Sequence, residues 1–240
     1  MPTLLITGAN RGLGLELVKQ FDARAWRIHA CCRAPEKAGD LQTIAAKSDG
    51  RIQVHALDVT DFGAVDNFAD TLQGEPIDVL FNNAGIMEVR QRPLEEQGNT
   101  QSFGSIDYAE WGEILRVNVL APMRMAEVFV DNVAASERKT IVTMSSILGS
   151  IAIADSSRWV GYRTSKAAVN MMMRGLASDL KDRGITAVGV HPGWVRTGMG
   201  GAGADLAPLE SAAGVAKVVD ELTPDQSGRY LTYEGGELPW

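Results

Sequence analysis

The chain has 240 residues, enough to bury a sizeable core in one large α/β domain or two small ones. Its 45% apolar and 22% charged residues are ordinary for a globular protein, and a net charge of -7 without any basic run argues against nucleic acid or an anionic membrane as a partner. Adjacent Cys31 and Cys32 are the only cysteines and cannot build a disulfide framework. With no apolar run near ~18 residues and no basic stretch before the first strand, a soluble, cytoplasmic protein is expected.

Thr3 to Thr7 reads as a short apolar strand that runs directly into Gly8-Ala-Asn-Arg-Gly-Leu-Gly14. Leu13, Leu17, Val18 and Phe21 then mark the buried face of a helix. A strand, a glycine turn and a helix start form a phosphate-binding arrangement, because the backbone can approach closely and the helix N–H groups favour an anion. The spacing is G-x-x-x-G-x-G.

The second strand, Trp26 to Cys32, ends in Arg33 rather than in the acid that would accept from an adenosine ribose 2′-hydroxyl. A guanidinium suits a 2′-phosphate, and Arg11 in the glycine turn offers another. NADP(H) is therefore favoured as cofactor, with NAD(H) as the alternative. A helix over Glu36 to Lys47 and a strand over Ile52 to Leu57 lead to Asp58-Val-Thr-Asp61, where Asp58 also suits a turn or a cap. A further helix, Phe62 to Leu72, precedes a strand from Ile77 to Phe81 that ends in Asn82-Asn-Ala-Gly85. Alternating β and α with parallel apolar strands predicts a Rossmann-type doubly wound parallel sheet of about seven strands with helices on both faces. Gly8, Arg33, Asp58 and Asn82 all follow strand ends and should meet at one edge, where such sheets bind ligands.

Residues 86–105 form a polar connection that is long for a compact domain. A long helix over Ile106 to Val133 carries Asn118 in an apolar stretch, where an unpaired amide costs ~1–3 kcal/mol and therefore needs a partner. The strand Lys139 to Ser145 closes in Ser145-Ser146, of which strand alternation sends one towards the ligand edge. Tyr162 and Lys166 come next, four apart at the start of a helix and so on one face. An ammonium within about 4–6 Å favours phenolate, so this pair is expected to lower a phenol pKa that is normally ~10. Ile185 to Val190 is the sixth strand and His191-Pro-Gly-Trp-Val-Arg-Thr197 follows it. A Gly- and Ala-rich stretch (Gly198 to Pro208) reads as part of a mobile lid around 194–212. The helix Leu209 to Leu222 and the strand Arg229 to Thr232 complete one domain over 1–240.

Thr7-Gly-Ala-Asn-Arg-Gly-Leu-Gly14, Asp58-Val59, Asn82-Asn-Ala-Gly85, Asn118, Ser145-Ser146, Tyr162 with Lys166, and Pro192-Gly193 together resemble the short-chain dehydrogenase/reductase family. The likeness covers the whole chain. Tyr-Arg-Thr-Ser-Lys, His-Pro-Gly-Trp-Val-Arg-Thr and Gly-Glu-Leu-Pro-Trp resemble its C-factor-like and sniffer-like carbonyl reductases. The resemblance implies an NADPH-dependent reductase of an aldehyde or ketone. In it Tyr162 would be the proton donor, Lys166 would lower its pKa and hold the nicotinamide ribose, and Ser146 would hold the carbonyl oxygen, with Ser145 the fallback. Asn118 would reach Lys166 through water.

Gly8, Asn10, Arg11, Gly12, Leu13 and Gly14 would line the phosphates and adenosine, with Arg33 at the 2′-position. Asp58 and Val59 would take the adenine, Asn82, Ala84 and Gly85 the ribose. Pro192, Gly193, Val195 and Thr197 would take the nicotinamide end. Homodimers or homotetramers are common in the family, and C-factor relatives are tied to signalling, which makes a non-enzymatic dinucleotide-binding regulator the alternative. Ser146 and Tyr162 are sixteen apart, a few more than is usual there, and the extra length is expected over Ala154 to Arg158. Met87, Ile147, Trp159, Trp194 and Met199 are candidates for an apolar substrate pocket. His29, His55 and His191 show no metal-ligand spacing, and Met171 to Met173 fit a core or a subunit interface.

Overall fold

The computed structural model describes residues 1–88 and 101–240; of the polar connection expected over 86–105, the stretch 89–100 lies outside the described residues. Among the described residues seven strands form one sheet, β1 (Thr3–Thr7), β2 (Arg27–Cys32), β3 (Ile52–Ala56), β4 (Val79–Asn82), β5 (Thr140–Met144), β6 (Thr186–His191) and β7 (Tyr230–Thr232). All pairs are parallel, in the order β3-β2-β1-β4-β5-β6-β7. β1 lies between β2 and β4, so the winding reverses there and opens a crevice at the strand ends.

Both faces of the sheet are covered. α1 (Gly12–Asp22), α2 (Gly39–Ala46) and α7 (Pro208–Glu221) bury Leu17, Val18, Phe21, Leu41 and Val215 against one face. α3 (Phe62–Thr71), α5 (Ala121–Ala134) and α6 (Val160–Asp179) bury Val65, Phe68, Met125, Phe129, Val169 and Met173 on the other. Of the three consecutive methionines, Met173 is core while Met171 is exposed.

Two expected helices are divided. In place of one helix over 36–47, a 3₁₀ turn at Pro35–Lys37 gives way at Ala38, whose φ of -98° and ψ of 57° are not helical, to α2. The helix expected over 106–133 is α4 (Tyr108–Leu115), a π turn over Arg116–Leu120, and then α5. Proline explains the π turn. Pro122 has no N–H to give to the carbonyl of Asn118, and the Ala121 N–H reaches back five residues to Arg116 O. The bulge falls on Asn118, a placement seen often at functional sites.

Candidate active site

The glycine turn is built by close backbone approach. A Cβ on Gly14 would lie 2.2 Å from Gly8 O, so no other residue fits. Asn83, in a motif to which the sequence assigned no role at that position, staples the turn to the end of β4: its Nδ2 donates to Thr7 O (2.9 Å) and Gly8 O (3.1 Å). Thr7 Oγ1 accepts from the Asn83 and Ala84 N–H groups. α1 starts at Gly12 with no side-chain cap and no acid in its first turn, which leaves its N-terminal field available to an anion. Thr197 Cγ2 lies 3.5 Å from where a Gly12 Cβ would stand, so the segment after β6 reaches over the turn. Asn10 and Leu13 flank it, half-buried, while Arg11 and, after β2, Arg33 are exposed.

Asp58 Oδ1 accepts from the Thr60 N–H (2.9 Å) and hydroxyl (2.7 Å). Burial works to raise its pKa, but those two bonds, with Arg33 and Arg116 nearby, hold it below the usual carboxylate value. Asp58 thus forms the turn that its sequence also allowed, next to Val59 packed in the core. Asn82 is buried, and its Oδ1 has no partner among the described residues. This orphaned acceptor, the open helix N-terminus and the two guanidinium groups fit an anionic, hydroxyl-rich group such as a dinucleotide.

At the other half of the crevice, α6 carries Tyr162 and Lys166, both buried. The two side chains share a face as their spacing implies, but the expected lowering of the phenol pKa is not what the structure shows. Lys166 Nζ donates to Met144 O (2.8 Å) and lies 5.6 Å from the centre of the Tyr162 ring. Burial pushes the Tyr162 phenol above its ordinary pKa, with the Ser146 hydroxyl bond opposing; burial also brings Lys166 down to about 8. The phenol is therefore held neutral, because the cost of burying a phenolate outweighs a cation turned to a backbone carbonyl.

Ser146, not Ser145, faces Tyr162. The Ser145 hydroxyl donates to Asn170 Oδ1 at 2.6 Å, while Ser146 accepts from the Leu148 N–H (3.3 Å) and its hydroxyl is near enough to the Tyr162 phenol to oppose the effect of burial. Asn118 is satisfied by protein groups: its Oδ1 accepts from the Ile86 N–H, and its Nδ2 donates to Ile86 O and Ser165 Oγ, all at 2.8–2.9 Å. A Cβ on Gly85 would come 3.3 Å from Asn118 Oδ1 and 3.6 Å from Lys166 Nζ, so Gly85 lies against both side chains and leaves little room beside Asn118.

The remaining candidates are more dispersed. Pro192 O accepts from Ser211 Oγ (2.6 Å), and Gly193, at φ 83°, has Leu206 and Tyr233 against it. Val195 bridges to Leu206, and Arg196 donates to Ala204 O and Asp205 O. Met87 is half-buried with its carbonyl taken by Gln101. Ile147, Trp194 and Met199 are exposed. Trp159 sits in the left-handed region (φ 53°) at the start of α6.

Besides Asn83, two residues escaped the sequence. Asn170 lies one turn beyond Lys166 on the same face of α6, a signal the spacing did contain. Tyr230, whose hydroxyl donates to Ser146 O, arrives from β7 and has no local signal at all. His29 and His55, which show no metal-ligand spacing in the sequence, are in contact: His29 Nδ1 lies 3.0 Å from His55 Nε2, and its Nε2 lies 3.1 Å from Glu75 Oε1.

The family model for short chain dehydrogenase matches residues 2–205. This chain belongs to that family. It is 35% identical to the C-signal protein of Myxococcus xanthus over 173 residues, 72% of this chain and 98% of the relative. Among solved structures it matches carbonyl reductase Sniffer of D. melanogaster with TM-score 0.89 and 31% identity, covering 100% of each chain. It matches an NADPH-bound carbonyl reductase from chicken fatty liver with TM-score 0.87 and 30% identity, over 100% of this chain and 99% of that one. The chain is thus an oxidoreductase-family member of the sniffer and C-factor kind.

Proposed function

We propose that this protein reduces an aldehyde or ketone to an alcohol with NADPH, Tyr162 giving the proton. The observation that carries the reading is the convergence of Ser146, Tyr162 and Lys166, buried together at the strand ends beside an uncapped helix N-terminus. Bound there, NADPH supplies the hydride. The glycine turn and the α1 N-terminus take its phosphates, Arg33 and Arg11 its 2′-phosphate, and Asn82 Oδ1 accepts from a hydroxyl.

Ser146 donates to the substrate oxygen and steadies the charge that grows there. Tyr162, neutral in its buried setting, protonates the same oxygen as the alcohol forms. Lys166, charged below about 8, holds the ribose and supports the phenolate left behind. Asn118 is a positioning residue that fixes the Ile86 main chain and Ser165 beneath Lys166. The segment 194–212 closes over the substrate, with Ile147, Trp194 and Met199 as apolar rim.

The second reading, a regulator that binds dinucleotide without turnover, is supported by the 35% identity to C-signal. Purified protein incubated with NADPH and a panel of alkyl and aryl aldehydes and ketones separates the two. The reductase reading expects one alcohol formed per NADPH consumed. Tight NADPH binding with no alcohol from any member of the panel would favour the regulator.

A further inference from the structure

After β7 the chain turns back on itself. The Thr232 N–H donates to Gly236 O (2.7 Å), the Leu238 N–H to Tyr230 O (2.8 Å), and Leu231 bridges antiparallel to Glu237. That return brings the Trp240 ring onto Tyr230, stacked with centroids 5.6 Å apart and 25° between planes. It also brings Trp240 O to the Ala152 N–H, which donates to it at 2.8 Å. Tyr230 itself is fully buried and gives its hydroxyl to Ser146 O.

The stretch after Ser146 is gripped from the other side by α6. Asn170 Nδ2 donates to Gly149 O (3.3 Å), and Gly149 packs so tightly that a Cβ there would stand 2.7 Å from Lys166 C. Segment 146–152 is thus clamped between α6 and the returning strand, with bonds at both its ends.

We propose that Tyr230 and Trp240 are positioning residues: the returning segment 236–240 is a latch that sets where Ser146 stands relative to Tyr162. Neither side chain touches a reacting atom. Trp240 fixes the Tyr230 ring by stacking and fixes residue 152 through its main-chain oxygen; Tyr230 fixes the Ser146 main chain. Burial holds the Tyr230 phenol above its ordinary pKa, so it stays a donor through the neutral range. The leverage comes from geometry, since a displacement of about 1 Å at a reacting group can cost about 10²-fold in rate.

The kinetic half of this inference rests on the reductase reading; the structural half does not. Tyr230→Phe removes one hydrogen bond and should lower kcat about fivefold. KM for the carbonyl and the dissociation constant for NADPH should be unchanged, since the serine's bond matters most in the transition state. Trp240→Ala should do the same, and Trp240→Phe, which keeps an aromatic stack, should return kcat to within about twofold of wild type. In parallel, amide exchange over 147–153 should quicken at least about tenfold in Trp240→Ala while α1 and α3 keep wild-type protection.

Exchange in 147–153 unchanged by Trp240→Ala would overturn the latch, whether or not the protein reduces carbonyls. Faster exchange with kcat intact would overturn the positioning of Ser146. An inactive wild type with the expected exchange pattern would defeat the reductase reading while leaving the latch standing.

Discussion

Two titratable clusters lie under the same face of the sheet, one of a buried His29 with half-buried His55 and Glu75, the other buried throughout. In one, His29, His55 and Glu75 spend their hydrogen-bonding capacity on each other: both ring nitrogens of His29 are taken, and Glu75 also holds Arg27. In the other, Ser146, Tyr162 and Lys166 are all buried, yet Lys166 gives one of its three ammonium donors to Met144 O. The first cluster closes on itself and is structural. The second keeps donors in reserve at the crevice, and its position at the strand ends beside the glycine turn gives them something to act on.

Substitutions should separate the clusters by readout. In the crevice, Ser146→Ala should lower kcat about 10²–10³-fold with NADPH affinity unchanged, and circular dichroism should report an intact fold. At the adenosine end, Arg33→Asp should weaken NADPH about 10–100-fold, the worth of a charge-assisted bond, and leave NADH within about twofold. Titration of both cofactors by fluorescence reads this directly; equal losses would remove Arg33 from the 2′-phosphate.

The pH dependences should also diverge. Lys166, brought down to about 8 by burial, is charged below that pH and neutral above it. The account therefore expects kcat/KM for reduction to be level below about 8 and to fall as pH rises beyond it. Lys166→Arg, permanently charged, should lose that alkaline limb even at a lower plateau; an unaltered limb would assign it elsewhere.

The histidine cluster should show in stability instead. His55 is held down to about 4, chiefly by burial and then by His29. The unfolded chain takes up that proton below about 6.5 and the folded one only below about 4. Stability is then lost as pH falls between those values, by about 1–2 kcal/mol after discounting for partial exposure. Glu75, held below its usual value against burial by His29 and Arg27, adds loss in the same direction. Thermal melts of His55→Gln from pH 7 to 4.5 should show a shallower slope with activity at pH 7 retained.

What the sequence made legible follows from how far each feature reaches along the chain. The glycine turn, the Tyr162–Lys166 spacing and the alternation of strands and helices along the chain are local or periodic, and each stands where its pattern implies. The division of the long helix was also written locally, in Pro122, but an apolar period over 106–133 masks it. His29 meets His55 through strand register, Tyr230 meets Ser146 across the sheet, and Ser146 parts from Ser145 by the grip of Asn170. No local pattern encodes such pairings. The sign of the Tyr162 shift was misjudged for the same reason. The spacing shows that a lysine is one turn away, but only the packing shows that its ammonium turns to Met144 O and how deeply the phenol is buried.

The central claim is that the Tyr162 hydroxyl hands its proton to the substrate oxygen. A single-turnover experiment at neutral pH, with enzyme in excess over NADPH and a carbonyl identified from the panel, tests it most directly when wild type and Tyr162→Phe are compared. The account predicts equal NADPH binding and a loss of the NADPH absorbance decay by about 10²–10⁴-fold in the variant. A decay of wild-type rate in Tyr162→Phe, with alcohol formed, would contradict it.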